Sequence, residues 1–155
     1  MSMEEIVYRI ATSEDIDLLV VQRLKFVDVE EDEDIYSELK KNCYTYFMRA
    51  FSEDTCDVVL AEDKGKCIGT GIVFYYDSVP STFNVTGKNA YITSMYVEPE
   101  YRRKGIGSII LKKVLDRARE RGYCTVFLNT SKMGKIMYKK TGFVESRDGM
   151  FLIQN

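Results

Sequence analysis

The stretch that decides the fold is MYVEPEYRRKGIG, residues 95–107. It overlaps the end of an apolar run, Ala90–Val97, whose β-branched and aromatic residues predict a strand. Pro99 ends this strand because proline cannot donate a hydrogen bond to a β ladder. From Gly107 to Arg121 apolar residues recur at helical spacing, and Gly122 follows as a typical C-terminal stop. The stretch is therefore predicted to be the turn between a strand and a helix.

This turn has the features of an anion-binding site. The N-terminus of a helix presents unpaired amide groups and the positive end of the helix dipole to one point. Gly105 and Gly107 let the backbone approach a ligand without an intervening Cβ, and Ser108 adds a hydroxyl. A Walker A sequence is absent, and Ile110 stands where a dinucleotide fingerprint needs its third glycine. A pyrophosphate matches the turn best, because three consecutive cations add charged donors: Arg102, Arg103 and Lys104.

Outward from this turn, the periodicity predicts one α/β domain, residues 1–155, with the element order βααβββαβαββ. The strand–helix–strand unit at its centre should be parallel, hairpins should make the sheet mixed, and helices should cover both faces. The predicted elements are strand Ile6–Ile10, a helix after Thr12, helix Asp34–Phe51, strands Asp57–Glu62, Cys67–Tyr76 and Ala90–Val97, helix Gly107–Arg121, strand Thr125–Leu128, helix Lys132–Thr141, and a hairpin of Phe143–Arg147 and Met150–Ile153 around Asp148-Gly149.

Composition argues against several classes of function. The chain has no histidine, which removes Ser-His-Asp and Cys-His catalysis and most zinc enzymes. A formal net charge of −2 argues against nucleic acid as the main partner. No apolar run approaches the roughly 20 residues that span a membrane. The four cysteines fit neither a zinc ribbon nor a CxxC motif, and the N-terminus does not resemble a signal peptide, so a cytoplasmic chain with reduced thiols is expected.

Residues 95–107 resemble the acyl-CoA loop of the GNAT superfamily of N-acetyltransferases, whose pattern is Arg/Gln-x-x-Gly-x-Gly/Ala. Residues 128–131, Tyr138 and residues 141–143 also resemble the family, so the resemblance is specific over 90–143. It implies a three-layer, mostly antiparallel mixed sheet with a central splayed parallel strand pair. It also implies transfer of an acetyl group from acetyl-CoA to a primary amine of a small molecule or peptide, without a metal, by a homodimer. An isolated basic turn could equally be a solvated helix cap, but the surrounding matches favour the family.

The resemblance also assigns roles to individual residues. Met95 and Val97 are expected to pair with the pantetheine arm, and an amide near Met95 would face the thioester oxygen. Tyr138 aligns with the frequent general acid of the family; the alternative is an aromatic packing residue. Asn129 would contact the cofactor or order water, or would cap the helix that follows. The predicted cofactor-binding residues are Met95, Tyr96, Val97, Arg102, Arg103, Lys104, Gly105, Ile106, Gly107, Ser108, Asn129 and Ser131.

The base and the acceptor are left open by the sequence. Many relatives carry a glutamate, which acts as the general base, where this chain has Thr93. In its place, a water chain ending on a carboxylate such as Asp77 could remove the proton, or the enzyme could simply capture the neutral amine. Residues 28–34 hold six carboxylates, which form either a solvated acidic loop or an attractive surface for a cationic amine. The missing glutamate keeps a non-catalytic acyl-CoA sensor as the alternative function, whereas Tyr138 favours an enzyme.

Overall fold

The structure, a computed structural model, describes residues 6–146 and 149–154. Within these residues the chain forms five strands and four α-helices, with short 3₁₀ turns at 13–15 and 99–101. The elements are β1 (Ile6–Ile10), α1 (Ile16–Phe26), α2 (Tyr36–Glu53), β2 (Cys56–Asp63), β3 (Lys66–Asp77), β4 (Lys88–Val97), α3 (Ile106–Glu120), β5 (Thr125–Leu128) and α4 (Gly134–Thr141).

The strands form one sheet in the order β1-β2-β3-β4-β5. Every neighbouring pair is antiparallel except β4 and β5, which are parallel, so the predicted mixed sheet with a parallel pair is confirmed. The parallel pairing runs from Asn89 opposite Thr125 to Ile92 opposite Leu128. Beyond Ile92, β4 continues to Val97 without β5 beside it, and this separation opens a gap at the carboxyl ends of the two strands.

Helices cover both faces of the sheet, as expected from the element order. On one face the apolar stripe of α3, including Ile110 and Val114, packs on side chains such as Val73. On the other face Leu19 of α1 and Phe47 of α2 belong to a second core with β2 and β3. The central strands β2 and β3 are buried almost throughout because both faces are covered. This packing fixes the start of α3 beside the open end of β4.

The predicted C-terminal hairpin is wrong for the residues that the structure describes. Residues 143–146 and 149–154 form no strand, whereas Arg147 and Asp148 of the predicted turn lie outside the described residues. Met150 and Phe151 are 99% and 90% exposed, so their apolar side chains pack on nothing in this part of the chain. Apolar sequence predicts strand propensity, but a strand also has to pair with a neighbour, and the described residues of this segment pair with none.

Candidate active site

A cavity of about 1480 Å³ opens where β4 and β5 separate. One part of its wall comes from residues 95–108, from the segment that follows β5, and from α4. Another part comes from α1, α2 and the middle of β3. Most of the residues expected to bind the cofactor are thus brought into one wall. Lys104 is not in that wall; the residues that are present are Met95, Tyr96, Val97, Arg102, Arg103, Gly105, Ile106, Gly107, Ser108, Asn129 and Ser131, together with Tyr138.

The start of α3 has the geometry expected of an anion site. Gly105 precedes the helix in the left-handed conformation, with φ +80°, which costs glycine little. Ile109 donates the first intrahelical hydrogen bond, to the Gly105 carbonyl at 3.2 Å. The amides of Ile106, Gly107 and Ser108 come before this bond, so they have no acceptor within the helix. They are available to the oxygens of a bound pyrophosphate.

The three cations of the loop are arranged unequally. The Nε of Arg102 donates to the Val97 carbonyl at 2.8 Å, and its guanidinium lies 5.6 Å from the centre of the Tyr96 ring. Arg103 lines the cavity. Lys104 instead places its ammonium 5.4 Å from the centre of the Tyr101 ring. The prediction for Lys104 therefore has the weakest structural support of the three.

A β-bulge interrupts β4 where this strand lines the cavity. Thr93 and Tyr96 pair with β3, but Ser94 and Met95 between them face the single residue Gly71. Ser94 is almost fully buried and has a φ of +51°. Its carbonyl accepts a hydrogen bond from the Thr70 hydroxyl at 3.1 Å, which holds the irregular backbone in place. The bulge lies where the thioester is expected from the family resemblance.

Tyr138 lies on α4 and is 8% exposed. Its ring meets Phe143 edge to face at 5.7 Å between centroids, so it packs in the core while it also lines the cavity. Among the described residues its hydroxyl has no hydrogen-bond partner. Burial raises the pKa of the Tyr138 phenol from its ordinary value, so the group is protonated at neutral pH and can donate a proton. Both predicted interpretations, packing and acid, are compatible with this position.

The segment after β5 separates the two interpretations of Asn129. The helix begins at Gly134, two residues later than predicted, and the Gly134 amide donates to Ser131 Oγ at 3.3 Å. The Asn129 side chain makes no hydrogen bond within the part of the chain that the structure describes, and the residue before the helix is Met133, so the capping interpretation is wrong. Its side chain lies in the cavity wall instead.

Arg23 is the functional candidate that sequence reasoning missed. It projects from α1 into the cavity, and its Nη1 donates to Thr93 Oγ1 at 3.2 Å and to Ser94 Oγ at 2.9 Å. A signal was present in the sequence. Arg23 follows Leu19 by four residues and Val20 by three, which places a cation on the apolar face of the helix. Aromatic residues flank it in the cavity wall: Phe26, Tyr46, Phe47, Phe74 and Tyr91.

Carboxylates are absent from the described residues that line the cavity. Asp77 stands at the exposed end of β3, and no residue of the acidic stretch 28–34 belongs to the wall. A carboxylate that could take a proton directly from a bound amine is therefore not found among these residues. Cys43 does line the cavity, but burial raises the pKa of its thiol, so it is not prepared to act as a thiolate nucleophile.

The sequence profile of the acetyltransferase (GNAT) family matches residues 21–143 of this chain. The chain belongs to the GNAT family. The match includes the second half of α1 with Arg23, the β4 bulge, the start of α3 and Tyr138, all of which border the cavity. The family resemblance expected from the loop at 95–107 is thereby confirmed.

Two curated relatives of this GNAT chain are acetyltransferases of different kinds. Thialysine N-epsilon-acetyltransferase of Sus scrofa is 40% identical over 86 residues, which cover 52% of this chain and 47% of the relative. Streptothricin acetyltransferase A of Bacillus subtilis (strain 168) is 27% identical over 89 residues, which cover 54% and 49%. The chain spans about half the length of the curated relatives it matches.

Solved structures of GNAT proteins share the fold over nearly the whole chain. A predicted acetyltransferase from Clostridium acetobutylicum, crystallised with acetyl-CoA, has a TM-score of 0.85 and 32% identity, with 96% of each chain covered. A GCN5-related N-acetyltransferase from Ralstonia eutropha JMP134 has a TM-score of 0.83 at 19% identity, covering 96% of this chain and 98% of the other. The likeness to the Ralstonia protein concerns the fold alone. The likeness to the Clostridium protein, which was crystallised with acetyl-CoA, also supports the family.

Two absences concern the residues that the structure describes. No group of three or more potential metal ligands comes together in this part of the molecule. None of the described helices combines the length and the apolar character needed to cross a membrane.

Proposed function

We propose that this GNAT protein is an enzyme that moves the acetyl group of acetyl-CoA to a primary amine of a small molecule or peptide. One observation carries the proposal. The free amides at the start of α3, the β4 bulge and the Tyr138 hydroxyl all border one cavity. A pyrophosphate site, a thioester site and a proton donor together are what acetyl transfer from coenzyme A requires.

The donor would lie along the open edge of β4. Its pyrophosphate binds the amides of Ile106, Gly107 and Ser108, with Arg103 as a nearby cation. Its pantetheine arm pairs with backbone groups of Met95 and Val97 in the gap that β5 leaves. The amide at the bulge near Met95 then points at the thioester oxygen. A fixed donor of this kind stabilises the oxyanion that forms as the amine attacks.

The reaction follows from these positions. The acceptor loses a proton to solvent, and its neutral nitrogen attacks the thioester carbon. The attack forms the N–C bond, the nitrogen gives its second proton to solvent, and the tetrahedral intermediate collapses as the C–S bond breaks. Tyr138 gives its proton to the departing thiolate and is restored from solvent. Capture of the neutral amine is the preferred route for the first step, because the described cavity wall contains no carboxylate to act as base.

The relatives support a small-molecule acceptor. The names of the two curated relatives specify thialysine and streptothricin, which are both small molecules. Because the chain spans about half the length of these relatives, only the class of their acceptors, and not the individual compounds, is proposed for this protein.

We further propose a cytoplasmic, metal-free homodimer. The four cysteines, all within the described residues, are free, and the exposed apolar residues at 150–153 offer surface for a second copy. Light scattering of the purified chain would measure the mass, and a monomeric mass would contradict the dimer.

Two measurements test the enzyme against the sensor. A ligand that binds only the folded state raises the melting temperature, so acetyl-CoA should produce a thermal shift. Release of free thiol in the presence of a panel of amines then tests catalysis. A thermal shift without thiol release from any amine would support the sensor. The absence of a shift at millimolar acetyl-CoA would reject both functions.

A further inference from the structure

The charges of the cavity wall are unbalanced. Its cations are Arg23, Arg102, Arg103 and Lys140, and no aspartate or glutamate stands among the described residues of the wall. Arg102 and Arg103 belong to the loop before α3, where the donor's phosphates are expected. Arg23 comes from α1 on the opposite side of the β4 bulge, so the phosphates of the donor do not account for it.

Among the described residues, Arg23 has no anionic partner, and most of its N–H donors have no acceptor. Its side chain is half-buried, and only Nη1 is engaged, by the hydroxyls of Thr93 and Ser94. Guanidinium carries five N–H donors, and among the described residues none of the others has an acceptor. No carboxylate of these residues forms an ion pair with it. A partly desolvated guanidinium without a counter-ion is unfavourable, because buried charges are normally paired.

The position of Arg23 shows where such an anion would lie. The guanidinium bonds to Ser94, which is itself a residue of the bulge at which the thioester is expected. An anion on the free edge of the guanidinium would therefore lie close to the reacting carbonyl, and not at the mouth of the cavity. The guanidinium is 5.3 Å from the centre of the Phe26 ring, and the stacked rings of Phe74 and Tyr91 line the same cavity. These rings offer apolar contact and no further charge.

We infer that the acceptor is an amine that carries a carboxylate, and that Arg23 binds this carboxylate beside the reaction centre. The inference rests on the proposed acetyl transfer and names its substrate class. A planar guanidinium edge matches a carboxylate with two parallel hydrogen bonds. The amine and the carboxylate should be separated by few bonds, because both must reach the β4 bulge. A purely cationic acceptor has no carboxylate partner in the described wall, and it would be repelled by Arg23.

Matched acceptor pairs test the inference directly. Each pair has the same amine and differs only in a carboxylate or a neutral carboxamide: β-alanine and β-alaninamide, γ-aminobutyrate and its amide, lysine and lysinamide. Rates are expressed per neutral amine, because a carboxylate changes the pKa of the amine. We expect kcat/KM to favour the carboxylate by about tenfold to hundredfold, the value of a hydrogen bond to a charged group, mostly through KM. The preference should decline as the spacer lengthens.

Variants assign the preference to Arg23. Arg23→Gln should remove the preference for the carboxylate, and Arg23→Lys should restore part of it. Arg49→Gln is the matched control, because Arg49 is an exposed arginine on α2 outside the cavity wall, and this variant should keep the full preference. Melting temperature and the thermal shift with acetyl-CoA show that each variant folds and binds the donor.

The outcomes distinguish the inference from the proposed function. If Arg23→Gln lowers kcat/KM equally for both members of a pair, Arg23 only supports the bulge and the inference is overturned. A wild-type enzyme that prefers the carboxamide, or prefers a sulfonate or phosphonate of equal length, also overturns it while acetyl transfer stands. If no amine with or without a carboxylate releases thiol, the proposed function itself fails and the inference falls with it.

Discussion

The proton that the leaving thiolate needs is assigned to one phenol, Tyr138. We expect Tyr138→Phe to lower kcat by about 10²-fold, the usual contribution of a general acid, and to leave acetyl-CoA binding intact. The Phe ring keeps the edge-to-face contact with Phe143, so the core should tolerate the change. Thiol release at saturating substrates measures kcat, and the thermal shift measures donor binding. Tyr123→Phe is the control, because the Tyr123 ring packs at a tilt against Tyr75 and lies outside the cavity wall.

The pH profile offers a second test of the same residue. Burial raises the pKa of Tyr138, so the proton it must donate is retained throughout the neutral and mildly alkaline range. The neutral fraction of an alkyl amine increases with pH toward its own pKa, near 10. The rate should therefore rise from pH 7 to pH 9.5 without a descending limb. A decline within that range that persists in Tyr138→Phe would assign the limb to another group, and a normal kcat in Tyr138→Phe would remove Tyr138 from the acid role.

At the scale of elements, the loop before α3 uses its two glycines for different purposes. Gly105 has a φ of +80°, so Gly105→Ala should cost about 1–2 kcal/mol of folding free energy through backbone strain. A Cβ on Gly107 would meet Met137 Sδ at 3.7 Å and Val97 Cγ2 at 3.9 Å, which are ordinary contacts. Because alanine is the better helix former, Gly107→Ala should not lower stability.

Gly107→Ala should nevertheless weaken acetyl-CoA binding by at least about tenfold, since the new methyl group would enter the space where the pyrophosphate approaches the helix. Urea unfolding of the free protein and calorimetric titration with acetyl-CoA separate the two effects. An unchanged Kd would show that the donor does not approach Gly107 closely.

The elements of the second half of the chain were predictable because each carries its own local signal. Strand Thr125–Leu128 and the end of α4 at Thr141 agree with their predicted bounds, since turn glycines or a change of period mark them. The hairpin predicted from residues 143–153 was wrong for the residues of that range that the structure describes, because strand propensity alone does not ensure pairing with a neighbouring strand. Helix α1 was found, but Arg23 was passed over, since its role depends on β4, which is 70 residues away in sequence.

For the molecule as a whole, the position of α3 depends on both of its ends. Its N-terminus borders the cavity, and its C-terminal half is tied to the sheet through Asp57 of β2, which is 4% exposed. Arg121 Nε donates to this carboxylate at 2.7 Å and Arg117 Nη2 at 3.1 Å, while the Tyr75 hydroxyl donates at 2.7 Å. This buried carboxylate is shared by two guanidinium groups, which also pair with the more exposed Asp54 and Glu120, and it joins the sheet to the helix that carries the proposed anion site.

Asp57→Ala should lower the free energy of unfolding by about 2–3 kcal/mol, because it removes the buried acceptor that the two arginines and the Tyr75 hydroxyl share, while Asp54 and Glu120 still offset part of the arginine charge. The loss should also weaken acetyl-CoA binding, since the start of α3 would no longer be held as firmly. Asp116→Ala is the matched control. Asp116 is on the exposed side of α3 and pairs with Lys112 at 3.1 Å, so its loss should cost less than about 1 kcal/mol. Urea unfolding of both variants makes the comparison, and equal losses would show that the Asp57 cluster does not stabilise the arrangement of helix and sheet.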